Sequence, residues 1–369
     1  MSTSSPSEAQ AGQPDLVYRS LPILASYLIL AASLALNACR TIFVRYQARI
    51  KGNDWETPHR RVQFLLFAIL AALSLGATWY YMFAFFARSY HNWGASQSLV
   101  DLANPEITTL FKLELWLQKA KLFREAWETV IETPARFWWS GQIFSWTTGW
   151  SVFLGIMARR YRIPHVWAYM LLGQIVAISF AQNLFFATIL VSRQPCQTDG
   201  TKKDKSGAQD SIAAWSPPLY AEVLPVAISL ISTVLVPTVA HTKYFMLMLL
   251  VPHLLLFVPA ILRPSQSSTV ETRAKDCSEE RTIQRYAAFF QWYMVACVII
   301  QAHSTFLVLQ EMGQEISVES LRMLAANLPG VIYEHPAVSS VSWDVIYCTI
   351  TAVAWIAVNG GNPKRMLGQ

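Results

Sequence analysis

Eight apolar runs, separated by short polar or basic segments, set the rhythm of this chain: Leu21–Ala38, Val62–Ala87, Phe137–Met157, Trp167–Val191, Leu219–Ala240, Tyr244–Leu262, Tyr286–Leu309 and Trp343–Val358. Crossing the hydrocarbon core of a bilayer takes about 20 apolar residues in a helix. The pattern therefore predicts an all-α, polytopic helical transmembrane bundle of about eight spans. Tyr244–Leu262 and Trp343–Val358 are short, and the count falls to seven if one of them lies in the interface. Between the second and third runs, Thr109–Thr133 places Leu110, Leu113, Leu117, Phe123, Trp127 and Ile131 at helical intervals in an otherwise polar stretch. That spacing predicts an amphipathic interfacial helix before the third span, ended by Pro134. A shorter helix of the same kind is expected at Ser320–Asn327.

Residues 1–18 are rich in Ser, Gln, Pro and Ala and read as a disordered tail. They contain neither a basic n-region nor a cleavage site, so the first run reads as an uncleaved anchor. Residues 19–360 form a single helical transmembrane domain on this reading, with 361–369 as a C-terminal tail.

Composition agrees with the pattern. Of 369 residues, 53% are hydrophobic and only 14% charged, against about 25% charged in an ordinary soluble domain. The net charge of +6 sits in short segments beside the spans, which suits anionic lipid headgroups and topology setting and argues against nucleic-acid binding. Arg40, Arg45, Arg49, Lys51, Arg60 and Arg61 follow the first span, whereas only Arg19 precedes it. The positive-inside rule then puts the N-terminus in the lumen of an endomembrane such as the endoplasmic reticulum. With eight spans, however, the basic segments 193–216 and 263–285 would also be lumenal, which conflicts with the same rule. The five cysteines show no CxxC or metal spacing, and a Cys196–Cys277 disulfide is the one pairing considered.

Ionisable groups inside spans are costly and usually functional. Glu222 lies in the fifth run near Pro217, Pro218 and Pro225, two residues after Tyr220. Asp344 opens the eighth, three residues before Tyr347, where a first-turn acid favoured by the helix dipole is the plain alternative. His253 and His303 read as interhelical hydrogen-bonding residues. Glu125, Glu128 and Glu132 share one face of the amphipathic helix. Lys121 and Arg124 each stand four residues before a glutamate, the spacing of a solvated ion-pair face. Desolvation beside the membrane would instead make Glu128 or Glu132 an acid near neutrality. Trp139, Trp146 and Trp150 follow at steps of seven and four, so they stack along one helix face. An aromatic belt or helix packing is one reading. A pocket that shelters a carbocation with indole faces is the other. No diphosphate-binding Asp-rich run, nucleotide loop, HExxH, GxSxG or histidine box occurs, so neither metal nor cofactor is expected.

Three blocks, Glu-Thr-Pro-Ala-Arg-Phe-Trp-Trp-Ser-Gly-Gln-Ile-Phe (Glu132–Phe144), Gln-Asn-Leu-Phe-Phe-Ala (Gln182–Ala187) and Ser-Trp-Asp-Val-Ile (Ser342–Ile346), give the chain its resemblance. It resembles the fungal membrane-bound terpene cyclases of the ascofuranone and macrophorin pathways. The resemblance implies cyclisation of the farnesyl chain of a meroterpenoid, started by protonating a terminal alkene or epoxide. The partner is then a lipophilic prenylated small molecule reached through membrane lipid. Glu128, Glu132, Glu222 or Asp344 would supply the proton, Tyr220 or Tyr347 would position it, and Trp139, Trp146 and Trp150 would line the substrate pocket. A transporter or a receptor-like protein without catalytic activity stays open beside this reading. Geometry discriminates: a cyclase needs at least one of these carboxylates to open into a cavity shared with tryptophan.

Overall fold

A computed structural model describes residues 19–51, 58–96, 108–192, 217–262, 279–362 and 366. The tail over residues 1–18 and the Cys196–Cys277 pairing lie outside these residues. Cys39, Cys297 and Cys348 are free thiols. All regular structure among the described residues is helical: α1 (Ser20–Lys51), α2 (Pro58–Ala95), α3 (Thr109–Lys119), α4 (Leu122–Val130), α5 (Pro134–Arg160), α6 (Val166–Ile175), α7 (Ile178–Val191), α8 (Leu219–Leu235) continued by a 3-10 turn (Val236–Val239), α9 (Phe245–Leu255), α10 (Phe257–Ile261), α11 (Glu279–Glu311), α12 (Val318–Val331) and α13 (Pro336–Val358). Five helices are long and apolar enough to cross a membrane: Ser20–Lys51, His59–Ala95, Leu219–Val239, Gln284–Glu311 and Pro336–Val358. A membrane protein is the consistent class.

The expected third span, Phe137–Met157, is the inner part of α5 and is not among those five. Its Ser, Thr, Gly and Trp residues dilute the hydropathy that a lipid-facing helix needs. Protein surrounds it instead. From Thr147 to Arg160 every residue except Phe153 is buried, the signature of a helix enclosed all round. Gly155 permits the closest approach, because a Cβ there would stand 2.3 Å from the Pro259 carbonyl oxygen of α10.

The expected fourth span, Trp167–Val191, is two helices rather than one. The Tyr169 hydroxyl lies 2.8 Å from Thr188 Oγ1, and the Tyr169 ring is 5.2 Å from Phe185. In one continuous helix Tyr169 and Thr188 would be almost 30 Å apart. The helices α6 and α7 therefore run antiparallel, and the chain turns at Val176–Ala177, where Ala177 is fully extended. Gly173 gives the room for the turn, since a Cβ there would meet the Ile178 side chain at 3.0 Å. Both ends of the hairpin meet α1: Arg45 donates to the carbonyls of Tyr161 and Arg162 and to the Ser192 hydroxyl. Arg49 donates to the carbonyls of Val191 and Ser192, the exposed acceptors at the end of α7. Hydropathy cannot separate this arrangement from a span, because 25-residue apolar runs suit both. Every residue of α7 is buried, so its Gln182 and Asn183 never face lipid.

Among the described residues, seven helical passages join the two ends of the bundle: α1, α2, α5, α8, α9–α10, α11 and α13. The hairpin enters and leaves at one end. That end gathers Arg45, Arg49, Arg159, Arg160 and Arg285, and Tyr161 there lies within electrostatic reach of Arg60. Ser192, Glu222 and Leu262 also stand at this basic end, through Arg49 and Arg159.

Glu114, Glu125, Glu128, Glu132 and Glu334 lie at the opposite end. The expected Thr109–Thr133 helix is broken at Ala120–Lys121 into α3 and α4. Fully buried Glu114 of α3 accepts hydrogen bonds from the backbone N–H groups of Arg19 (3.1 Å), Ser20 (3.0 Å) and Leu21 (2.8 Å), and so caps α1. Burial works against its charge. The donors from Ser20, Gln118, Leu21 and Arg19 outweigh it and hold the carboxyl down at about 2. With the folded value below the unfolded one of 4.5, the stabilisation is complete above about pH 4.5. It is lost as the pH falls towards 2. Unfolding of the purified protein from pH 7 to pH 3 is expected to show this loss, and Glu114→Gln is expected to flatten it.

Two further boundaries differ from the sequence reading. Ser317 and Ser320 form a capping box that starts α12 at Val318, ahead of Ser320–Asn327. The last helix starts at Pro336, not Trp343, with the His335 side chain accepting from the Ala337 N–H. Polar Ser339, Ser340 and Ser342 conceal that start. Asp344 therefore lies in the third turn of α13, about 12 Å along it, and the first-turn explanation no longer applies.

Candidate functional site

The acids on one face of the amphipathic stretch are spent on local pairs. Glu128 pairs with Arg124 at 2.7 Å and Glu132 with Arg136, which also reaches Glu334 at 3.0 Å. Glu125 accepts the Lys121 N–H at 2.8 Å, at the start of α4. None of the three lines a cavity described here.

Glu222 is 1% exposed and ties three helices together at the basic end. It meets Arg285 at 2.7 Å, Arg159 at 3.5 Å and the Tyr286 hydroxyl at 2.9 Å. Tyr220, placed beside it by sequence, is 72% exposed; Tyr286, from α11, is the tyrosine that touches it. Two arginines and a phenol fix this carboxylate as a clamp between α5, α8 and α11. Arg159 is missed by sequence reasoning because it closes a helix 63 residues upstream of its partner, with no local pattern joining them.

The three tryptophans divide as well. The Trp139 indole donates to the Leu328 carbonyl at 3.0 Å and holds α12 against α5. Trp146 is half-buried against the main core. Trp150 stacks on Phe153 and meets Phe185 and Phe186 edge-on, within the core. Tyr347 is half-buried with its ring 5.9 Å from Trp343.

Asp344 has different surroundings. It is buried, and no basic side chain pairs with it among the described residues. Its two oxygens accept the N–H groups of Ile178 (2.9 Å) and Ser179 (2.8 Å), the first of α7. The carboxylate thus occupies the positive end of the hairpin's second helix. It also opens into a cavity of about 120 Å³ at the hairpin tip, lined by Trp127, Phe144, Gln174 and His253 among others. Trp127 and Phe144 stack at 5.0 Å, and His253 stands edge-on to both, at 6.2 and 6.0 Å. Gln174 fixes the far wall by donating to the His253 carbonyl at 2.9 Å. Across Phe144, Thr147 and His253 lies a second, much smaller void lined by Ser229, Ser232, Thr233 and Met248.

Of the candidate acids and pocket residues, Asp344 alone lines this cavity; Trp127, expected only on the apolar face of the amphipathic helix, supplies the tryptophan there in place of Trp139, Trp146 and Trp150. Phe144 flanks the predicted aromatic stripe. His253 carried a signal, a histidine between Pro252 and Pro259, that pointed equally to helix packing.

A carboxyl group and an imidazole around a space of this size can move a proton, and the aromatic faces can shelter a cation. An apolar cavity of about 150 Å³ holds benzene, so the present space takes a group somewhat smaller than that ring. No protein-family model, curated protein or solved structure matches the chain.

Proposed function

We propose that this chain is a membrane-embedded cyclase that protonates the terminal alkene or epoxide of a prenylated lipophilic substrate, with Asp344 as the acid. One observation carries the reading: a buried carboxyl group with no basic partner among the described residues faces an aromatic-walled cavity. Proton donation leaves a carboxylate, and the N–H groups of Ile178 and Ser179 are already aimed at it. Preorganised donors of this kind lower the barrier by meeting charge where it develops. Trp127 and Phe144 then present π faces to the carbocation, which they stabilise without attacking it. The rest of the chain requires space beyond the present cavity, and the small void behind Phe144 and His253 is the direction in which it opens. The chemistry consumes neither metal nor cofactor.

The test is expression in a host that lacks the activity, with farnesylated phenols or quinones and their terminal epoxides supplied. Products are read by mass spectrometry and NMR. A cyclised isomer of the substrate is expected; unchanged substrate in every case sinks the proposal.

In the membrane, the seven passages are the crossings of this proposal, and the α6–α7 hairpin is re-entrant, its irregular tip enclosed by protein as the bilayer requires. The helices α3 and α4 lie at the lumenal interface, where Leu110 and Phe123 remain exposed. The basic end faces the cytosol. The N- and C-termini then lie on opposite sides of an endomembrane. Glycosylation acceptors appended to each terminus are expected to be modified at the N-terminus alone. Modification at both termini, as eight crossings from a lumenal N-terminus demand, overturns this topology.

One observation favours a transporter instead. The hairpin tip and the interrupted α9–α10 segment meet inside the protein, through Gln174 and the His253 carbonyl, and broken helices often mark substrate sites in transporters. Proton or solute flux in proteoliposomes, abolished by changing Asp344, separates the two readings.

A further inference from the structure

Given the cyclase reading, on which this inference rests, we infer that His253 is the base that ends the reaction. Its Nδ1 lies 2.6 Å from the Leu249 carbonyl oxygen. A carbonyl only accepts, so Nδ1 carries the hydrogen of the neutral ring. Nε2 is therefore the bare nitrogen, with its lone pair available. The ring is half-buried, lines the same cavity as Asp344, and stands edge-on to the stacked rings of Trp127 and Phe144. A base must sit next to the sheltered cation yet remain unprotonated until the end. The Leu249 hydrogen bond fixes the tautomer that satisfies this, and the Gln174 bond to the His253 carbonyl fixes the helix that carries it.

The proton balance closes within the cavity. The Asp344 carboxyl gives its proton to the terminal alkene carbon, or to the epoxide oxygen as a C–O bond breaks. Each ring closure then uses the electron pair of one alkene to form a carbon–carbon bond and moves the positive charge along the chain. At the last cation a neighbouring C–H bond gives its proton to His253 Nε2, and its electron pair becomes the new alkene. The enzyme is left with a carboxylate and an imidazolium facing one space. Return of the proton from His253 to Asp344 restores both groups, so the net reaction is an isomerisation with nothing added or lost.

The decisive variant is His253→Asn. Its side-chain amide nitrogen occupies the place of Nδ1 and keeps the donor to Leu249, while the Nε2 lone pair is gone. The expected result is a fall in the wild-type alkene product of about 10²-fold or more. The remaining flux is expected to divert to water-trapped alcohols or to alkenes formed by loss of a different proton. A purely structural role for His253 lowers the amount of folded enzyme but leaves the product pattern intact. The same rate and the same single alkene per folded molecule overturn the assignment. His253→Gln is read in the same way if the Asn variant does not accumulate. Wild-type inactivity on all substrates removes the cyclase reading itself, whereas wild-type cyclisation with unchanged variant products removes only the base.

Discussion

Asp344→Asn is expected to lower cyclisation by about 10²–10⁴-fold, the usual contribution of a positioned general acid, while the protein still folds. Asn matches the carboxyl in shape but has no acidic proton to give. It also has only one acceptor oxygen for the Ile178 and Ser179 N–H groups, so its amide nitrogen meets the other N–H donor to donor. A buried donor left unsatisfied costs about 1–3 kcal/mol. A modest loss of thermal stability should therefore accompany a much larger loss of turnover. Product formed per folded molecule, normalised by size-exclusion of the solubilised protein, is the measurement. Undiminished turnover by a folded Asn variant eliminates Asp344 as the acid.

Glu222→Gln is expected to show the reverse pattern. Removing one member of a buried ion pair typically costs about 3–5 kcal/mol, because the partner's charge stays behind without compensation. Arg159 is itself buried, and Arg285 is pulled in behind it. The variant should melt well below wild type, and its surviving folded fraction should cyclise substrate at the ordinary rate. Replacing Glu222 by Leu and Arg159 by Met together is expected to recover much of the loss, since well-packed apolar substitutes for buried pairs are often neutral or better. A folded Glu222→Gln protein that is catalytically dead moves the acid to this site instead.

The two outcomes separate a distinction that the sequence could not draw. Intramembrane position marks both Glu222 and Asp344 as unusual, but the partners that decide their roles come from distant elements. Arg159 and Tyr286 reach Glu222 from other helices. The backbone of Ile178 and Ser179, which carries no side-chain signature at all, reaches Asp344. Helical class and most long helices were legible, because a run such as Leu21–Ala38 needs only its own composition to be recognised. The hairpin was not. Trp167–Val191 satisfies every local test for a span, and only the contact of Tyr169 with Thr188 and Phe185 reveals the reversal. The indole stripe was legible as a face of one helix. Its division between α12, met by Trp139, and the core, met by Trp146 and Trp150, depends on neighbours that helical spacing does not name.

The bond between Asp344 and the start of α7 also constrains how the molecule is made. Ile178 and Asp344 are separated by 166 positions, so the ribosome releases the hairpin long before the residue that caps it. Throughout that interval α7 carries two open N–H groups and the amides of Gln182 and Asn183, none of which lipid can satisfy. The nascent hairpin must therefore wait in a sheltered, water-accessible place while the intervening helices insert, and it seats only when α13 arrives. The last of these helices to be synthesised supplies the cap of α7 and, on the proposed cyclase reading, the acid as well, so activity would then report finished assembly.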